Sequence, residues 1–251
     1  MITFQQITDL ARQFRTDSVT VYREYLQLVF LNCLYQSKKA DHVCFKGGTA
    51  IRLLFGSPRF SEDLDFDTTY SKKEVTMFVK EVERVMAKEI PGIKILHIYS
   101  GKKGVRFRIK LYLSDLKFPL VVRLDFTHVD KISATASVLE TDFPIVIFPL
   151  IYHASAQNVL REKFLALADR NKGRDLFDIL YLLRKKTPFS PKSFDKKLLS
   201  KIEIYPQSKL ERDLRPFLPE AERRTLPVLK NLLIEALQVK GRDPQLHETV
   251  E

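Results

Sequence analysis

Between residues 46 and 67 the chain reads KGGTAIRLLFGSPRFSEDLDFD, and this run restricts the possible folds more than any other segment. Gly47, Gly48 and Thr49 open a short apolar stretch of helical character. Gly56 and Pro58 close it, since glycine readily takes the left-handed cap conformation and proline does not continue a helix. Next, acids fall at alternate positions. In a strand Ser61, Asp63, Asp65 and Asp67 project to one face and Leu64 and Phe66 to the other. Two carboxylates presented side by side suit a hard divalent cation. The glycine turn before them exposes backbone N–H groups at a helix N-terminus, where phosphate binds. The combination points to chemistry on a nucleoside triphosphate.

Each half also has a plainer reading. A D-x-D occurs often in turns and exposed strands, and Thr49 is a good helix cap. Those readings explain the glycines but not the acids. Clustering Asp63 and Asp65 on one face costs free energy unless a cation balances them.

A length of 251 residues allows one large domain or two small ones sharing a cleft. The 45% hydrophobic content, with 18 Phe and no Trp, supports a real core. Cys33 and Cys44 cannot build a disulfide framework, so a reducing cytoplasm is expected. The opening MITFQQITDLARQF lacks a secretory signal pattern. The longest apolar stretch, FPIVIFPLIY at 143–152, is too short and too proline-broken to cross a bilayer, so no membrane association is expected. The formal charge of +11, from 42 Lys and Arg against 31 Asp and Glu, favours polyanionic partners. The alternative is a basic surface that binds no nucleic acid.

Periodicity predicts helices over 17–36, with Asp17 or Ser18 as cap, and over 72–89, ended by Pro91–Gly92. VRFRIKLYL at 105–113 and FPLVVRLDF at 118–126 alternate and are joined by SDLK, predicting an antiparallel hairpin. One face carries Phe107, Ile109, Leu111 and Leu113, the other Arg106, Arg108, Lys110 and Tyr112. On the second strand Arg123 and Asp125 share a face with Val121. Beside the D-x-D strand, Asp125 completes a three-acid metal site; the competing reading is an exposed acid paired with Arg123. From residue 154 the chain reads as helical, with a hairpin turning at Asn171–Gly173 and further helices over 193–214 and 219–239. The end, GRDPQLHETVE, is expected to fray. The expected division is an α/β part with N-terminal helices over 1–150 and a helical part over 151–251 that completes the active-site cleft. In the helical part Lys163 lies among Leu160, Phe164 and Leu167, and Asp175 and Asp178 share a helical face. Plain readings exist here too: a snorkelling lysine and acids favoured by a helix dipole.

FKGGTAIRLLFGSPRFSEDLDF at 45–66 and REKFLALADRNKGRDLFDI at 161–179 together resemble the AbiEii/AbiGii-type toxins, MenT-like nucleotidyltransferases of the DNA polymerase β-like superfamily. The resemblance spans about residues 40 to 185. It implies an α+β fold: a minimal nucleotidyltransferase core of small mixed sheet flanked by helices, followed by a helical part. It implies transfer of nucleotides from an NTP to RNA, with the 3′ acceptor end of tRNA, on which several members act, as the expected acceptor, a reaction that blocks translation; it also implies a cognate antitoxin. Residue by residue, it implies Asp63 and Asp65 as ligands of Mg²⁺ or Mn²⁺, with Asp125 as a less uniform third. Lys46, Gly47, Gly48, Thr49, Arg59 and Ser61 are implied around the nucleotide. Lys163 would touch the triphosphate, and Asp175 would complete the catalytic set as base or outer metal residue. Thr49 stands where the wider superfamily has serine, which keeps the hydroxyl. Two other functions compete with RNA modification: nucleotidylation of a protein or small molecule, and a non-catalytic module binding RNA or an antitoxin.

Overall fold

The structure, a computed structural model, describes residues 2–113, 116–144, 149–170, 172–189 and 196–240. The Ser114–Asp115 part of the hairpin turn, Asn171 of the helical turn, the start of the helix expected from 193, the middle of the 143–152 run and the expected fraying at 241–251 lie outside them. The chain forms two compact units. The first comprises Met1–Gly56 and Phe60–Ala154; the second comprises Ser57–Arg59 and the chain from Ser155.

The first unit is a seven-stranded mixed sheet with helices. Its strands are β1 (Val43–Lys46), β2 (Asp63–Thr68), β3 (Lys94–Gly101), β4 (Gly104–Leu111), β5 (Leu120–His128), β6 (Thr135–Val138) and β7 (Leu150–His153), in the order β3-β4-β5-β2-β1-β7-β6. β2 runs parallel to β5 and β1 parallel to β7, while the other neighbours are antiparallel. Its helices are α1 (Phe4–Phe14), α2 (Ser18–Tyr35), α3 (Gly47–Phe55) and α4 (Lys72–Glu89).

Both helices expected from periodicity start at side-chain caps. Asp17 accepts from the Thr20 N–H, and Ser71 forms a capping box with Glu74, each satisfying N–H groups that the first turn leaves open. α4 is amphipathic and buries Val75, Phe78, Val79, Val82 and Met86. α2 is apolar nearly all round and buried along most of its length, as a helix at the centre of a core must be. Its buried Glu24 receives two hydrogen bonds from Arg52 of α3, at 2.9 and 3.1 Å, and the guanidinium lies 4.0 Å from the centre of the Phe60 ring. Alternation along the strands assigns the sheet's faces. Leu64, Phe66, Val105, Phe107, Ile109, Val122, Leu124 and Phe126 are buried in the core, with Phe66 and Phe126 stacked at 4.7 Å.

The second unit is helical: α5 (Ala156–Asp169), α6 (Gly173–Arg184), α7 (Lys196–Glu203), α8 (Gln207–Leu214) and α9 (Leu229–Lys240). Two expectations need correction. The helix foreseen over 193–214 is divided into α7 and α8 by Pro206, which precedes the first residue of α8. The helix foreseen over 219–239 begins instead as 3-10 turns over Glu220–Val228, which contain Pro227, and is α-helical only from Leu229. Leu160, Phe164, Leu167, Leu176, Ile179, Leu183, Leu210, Leu233 and Leu237 are buried. Among the described residues no helix is long and apolar enough to cross a membrane.

Candidate active site

β1 delivers the chain into α3 through Lys46 and Gly47. Gly47 has a φ of 81°, a left-handed conformation costly for any residue with a side chain. A Cβ on Gly47 would lie 3.0 Å from both Cβ and Cγ of Asp65 and overlap its carboxylate. The acid is thus laid directly against the backbone where α3 begins. The N-terminus of α3 has no side-chain cap. Thr49 does not cap it: its hydroxyl donates to the backbone carbonyl of Asp63, tying helix to strand. Gly48 and Thr49 are buried.

Strand register brings the expected acids together. In the parallel pairing of β2 with β5, Asp63 faces Arg123 and Asp65 faces Asp125. On the other side of β2, Asp65 faces Lys46 of β1. Asp63 pairs with Arg123. Asp125 accepts from Arg106 at 2.6 and 3.3 Å and lies 3.2 Å from Arg123 Nε. Lys46 Nζ lies 2.8 Å from Asp67. Acids and guanidinium groups therefore alternate over one face. The sequence reading offered the pairing of Asp125 with Arg123 as the alternative to a third ligand, and the two do pair; it did not offer the pairing of Asp63 with Arg123, because β2 and β5 are far apart in sequence. Ser61 is partly buried, and its carbonyl accepts from buried Gln27 at 2.9 Å.

Asp63 and Asp65, on one strand face, are oxygen donors of the kind a hard cation takes, and a cation held there would take the place of Arg123 on Asp63. Among the described residues no three His, Cys, Asp or Glu side chains converge on one point. Asp125, expected as the third ligand, has both oxygens engaged by guanidinium groups. Cys33 is buried, and burial pushes its thiol up to about 12.

The helical unit holds a second charged set. Lys163 of α5 reaches Asp175 at 3.0 Å and Asp178 at 2.7 Å on α6. Arg170 lies 3.1 Å from Asp175. Arg59 donates two hydrogen bonds to Asp178, at 2.7 and 2.9 Å, and is itself only 2% exposed. Burial works to lower the Lys163 pKa, but the charges of Asp178 and Asp175 outweigh it and hold it above the ordinary lysine value. Burial likewise works to raise Asp178, and Arg59 and Lys163 overcome it, so its carboxyl lies below the ordinary range. Both groups are ionised at neutral pH. Asp178, which the sequence reading placed only on a shared face, is the member that joins Arg59 to Lys163.

A mixed sheet thus carries two acids on one face beside a helix that opens on glycine. The model of the family described as "Nucleotidyl transferase AbiEii toxin, Type IV TA system" matches residues 29–240. The chain belongs to that family of nucleotidyltransferase toxins from toxin–antitoxin systems. No curated protein matches its sequence. Its fold is similar to MenT4, a nucleotidyltransferase toxin of Mycobacterium tuberculosis H37Rv, with TM-score 0.60 and 16% identity over 98% of this chain and 92% of that one. It is also similar to JHP933 from Helicobacter pylori, with TM-score 0.56 and 22% identity over 90% and 96% of the two chains. A putative nucleotidyltransferase from H. pylori gives TM-score 0.53 and 21% identity over 88% and 97%. At such identities the likeness concerns the fold.

Proposed function

We propose that this enzyme transfers a nucleotidyl group from an NTP to the 3′ end of an RNA, with tRNA as the acceptor, and so blocks translation until its antitoxin restrains it. The observation that carries this reading is the contact of Asp65 with Gly47, beside Asp63 on the same strand face. It sets the Asp65 carboxylate against the start of α3, a helix N-terminus whose N–H groups suit phosphate. The formal charge of +11 favours a polyanionic acceptor over a small molecule.

In this proposal Asp63 and Asp65 hold Mg²⁺ or Mn²⁺, with Asp125 keeping Arg106 and Arg123 in place. When bound, the ion supplies Lewis-acid stabilisation of charge on the transferring phosphate and its leaving group. The RNA 3′ oxygen bonds to the α-phosphorus as the bond to pyrophosphate breaks, and the hydroxyl proton passes to water. Lys46, Gly47, Gly48 and Thr49 form the turn that receives the triphosphate, Thr49 by fixing the turn to β2. Ser61 lines the approach to the first acid. Arg123 and Arg106 offer guanidinium groups to phosphate oxygens. In the helical unit Lys163 supplies fixed positive charge for the triphosphate; its raised pKa supports this, because it stays protonated. Asp175 and Asp178 orient Lys163, and Arg59 acts through Asp178.

The test is incubation with total RNA and each labelled NTP in turn, with Mg²⁺ or with a chelator. Labelled RNA of tRNA size, absent with chelator, is expected. Label in protein or small molecules would replace the RNA acceptor, and nucleotide binding without turnover would leave a binding module.

A further inference from the structure

One row of residues crosses four strands on the acid face. Asp65 faces Asp125, Asp125 faces Arg106, and Arg106 faces Tyr99 on β3, the edge strand. Strands lie about 4.8 Å apart, so Tyr99 stands roughly 14 Å from Asp65 along the row. Tyr99 reaches this face because of a β-bulge. His97 pairs with Phe107 on the core side, and regular pairing would put Tyr99 opposite buried Val105. The register shift between His97 and Tyr99 moves it opposite Arg106 instead.

The ring is also seated. It lies over the Cα of Gly101, where any Cβ would collide with it, and the residue remains 58% exposed. The residues around it are cationic in an unfavourable pattern. Lys94 faces Lys110, a like-charged cross-strand pair, and Arg108 faces Arg123, whose charge is met by Asp63 and Asp125. Directly opposed like charges destabilise a sheet unless a counter-charge lies over them. A fixed, exposed aromatic ring beside a row of cations (Lys94, Lys110 and Arg108) is the surface that single-stranded nucleic acid uses: bases stack and phosphates meet the charges.

We infer that the β3–β4 face is the platform for the single-stranded 3′ end of the acceptor RNA. One base stacks on Tyr99, and the phosphates lie along Arg108, Lys110 and Lys94. This rests on the reading of the protein as an RNA nucleotidyltransferase. It assigns a place to the strand leading to the acids.

The test is fluorescence anisotropy of a short labelled single-stranded RNA with the full chain, without NTP. Tyr99→Phe is expected to bind like the parent. Tyr99→Leu keeps an apolar cover on Gly101 and is expected to bind about 10-fold more weakly. Arg108→Gln is expected to reduce the slope of log Kd against log salt by about 0.7. A purely structural role for Tyr99, covering an edge glycine, would lower the thermal midpoint of Tyr99→Leu and leave RNA affinity intact, which overturns the proposal. Preference for a polyglutamate peptide over RNA, lost in the same variants, would assign the face to an acidic protein and also overturn it. Labelling assays separate this proposal from the transferase reading. Unchanged RNA KM in Tyr99→Leu, with parent labelling intact, refutes the platform alone. Tyr99-dependent RNA binding by a parent that labels no RNA refutes the transferase reading and upholds the platform.

Discussion

The carboxylate of Asp65 rests against the backbone of Gly47, so the residue that opens α3 and the second acid of the D-x-D form one packed unit. Glycine is required at position 47 for two separate reasons: a left-handed φ and the volume taken by the acid. Gly92 provides a control, because its φ of 82° is equally left-handed but a Cβ there meets nothing within 4 Å. Gly92→Ala should cost about 1–2 kcal/mol and leave nucleotidyl transfer unchanged. Gly47→Ala should cost more and also depress transfer, because Asp65 has to move. Urea unfolding and labelling assays on the two variants check this.

The ion-paired set in the helical unit sets a pH dependence. Asp178 has a lowered pKa, so its contribution is fully present above the ordinary carboxylate value of 3.8 and is lost as pH falls through its folded value. Lys163 has a raised pKa, so its contribution is complete below 10.5 and is lost as pH rises through the folded value. Asp178→Asn should destabilise by about 3–5 kcal/mol at neutral pH, because Arg59 and Lys163 stay buried with one fewer anion. It should also flatten the acid limb of a plot of thermal midpoint against pH. An acid limb identical to the parent's would show that Asp178 is not the group responsible.

Arg52 holds α3 to α2 through Glu24 while its guanidinium covers Phe60. Lysine cannot reproduce the fork or the planar stack. Arg52→Lys should lose about 1–2 kcal/mol by chemical denaturation. Stability equal to the parent would mean that the fork adds nothing.

Much of this site was legible because its signals are local. Alternation places Asp63 and Asp65 on one face of β2, and the same rule assigns Arg106, Arg108 and Asp125. The cap at Asp17 is equally local. The pairing of Asp63 with Arg123 depends on a parallel register between strands about sixty positions apart, which no local pattern encodes. β3 escaped notice because KILHIYSG is an edge strand whose bulge breaks its alternation. β1 and β7 are four residues each and too short to show a period. Arg59 lies in a segment read as part of the glycine motif, yet it belongs with the helical unit and bonds to Asp178. Pro206 and Pro227 were visible, but the helices over 193–214 and 219–239 were read as running through them.

Cation binding can be read without turnover. Added Mg²⁺ should raise the thermal midpoint of the parent, since ligands that bind only the folded state stabilise it. Asp63→Asn should abolish that rise. A Mg²⁺-induced rise that persists in Asp63→Asn would place the ion elsewhere.

The most direct test is labelling of RNA from a radioactive NTP by Asp65→Asn, a near-isosteric change, with the variant first shown to unfold at the parent's temperature. Incorporation should fall by about 100-fold or more, the scale expected when a preorganised electrostatic contact in the transition state is lost. Incorporation at the parent's rate would contradict the assignment of the acid face beside Gly47 as the site of nucleotidyl transfer.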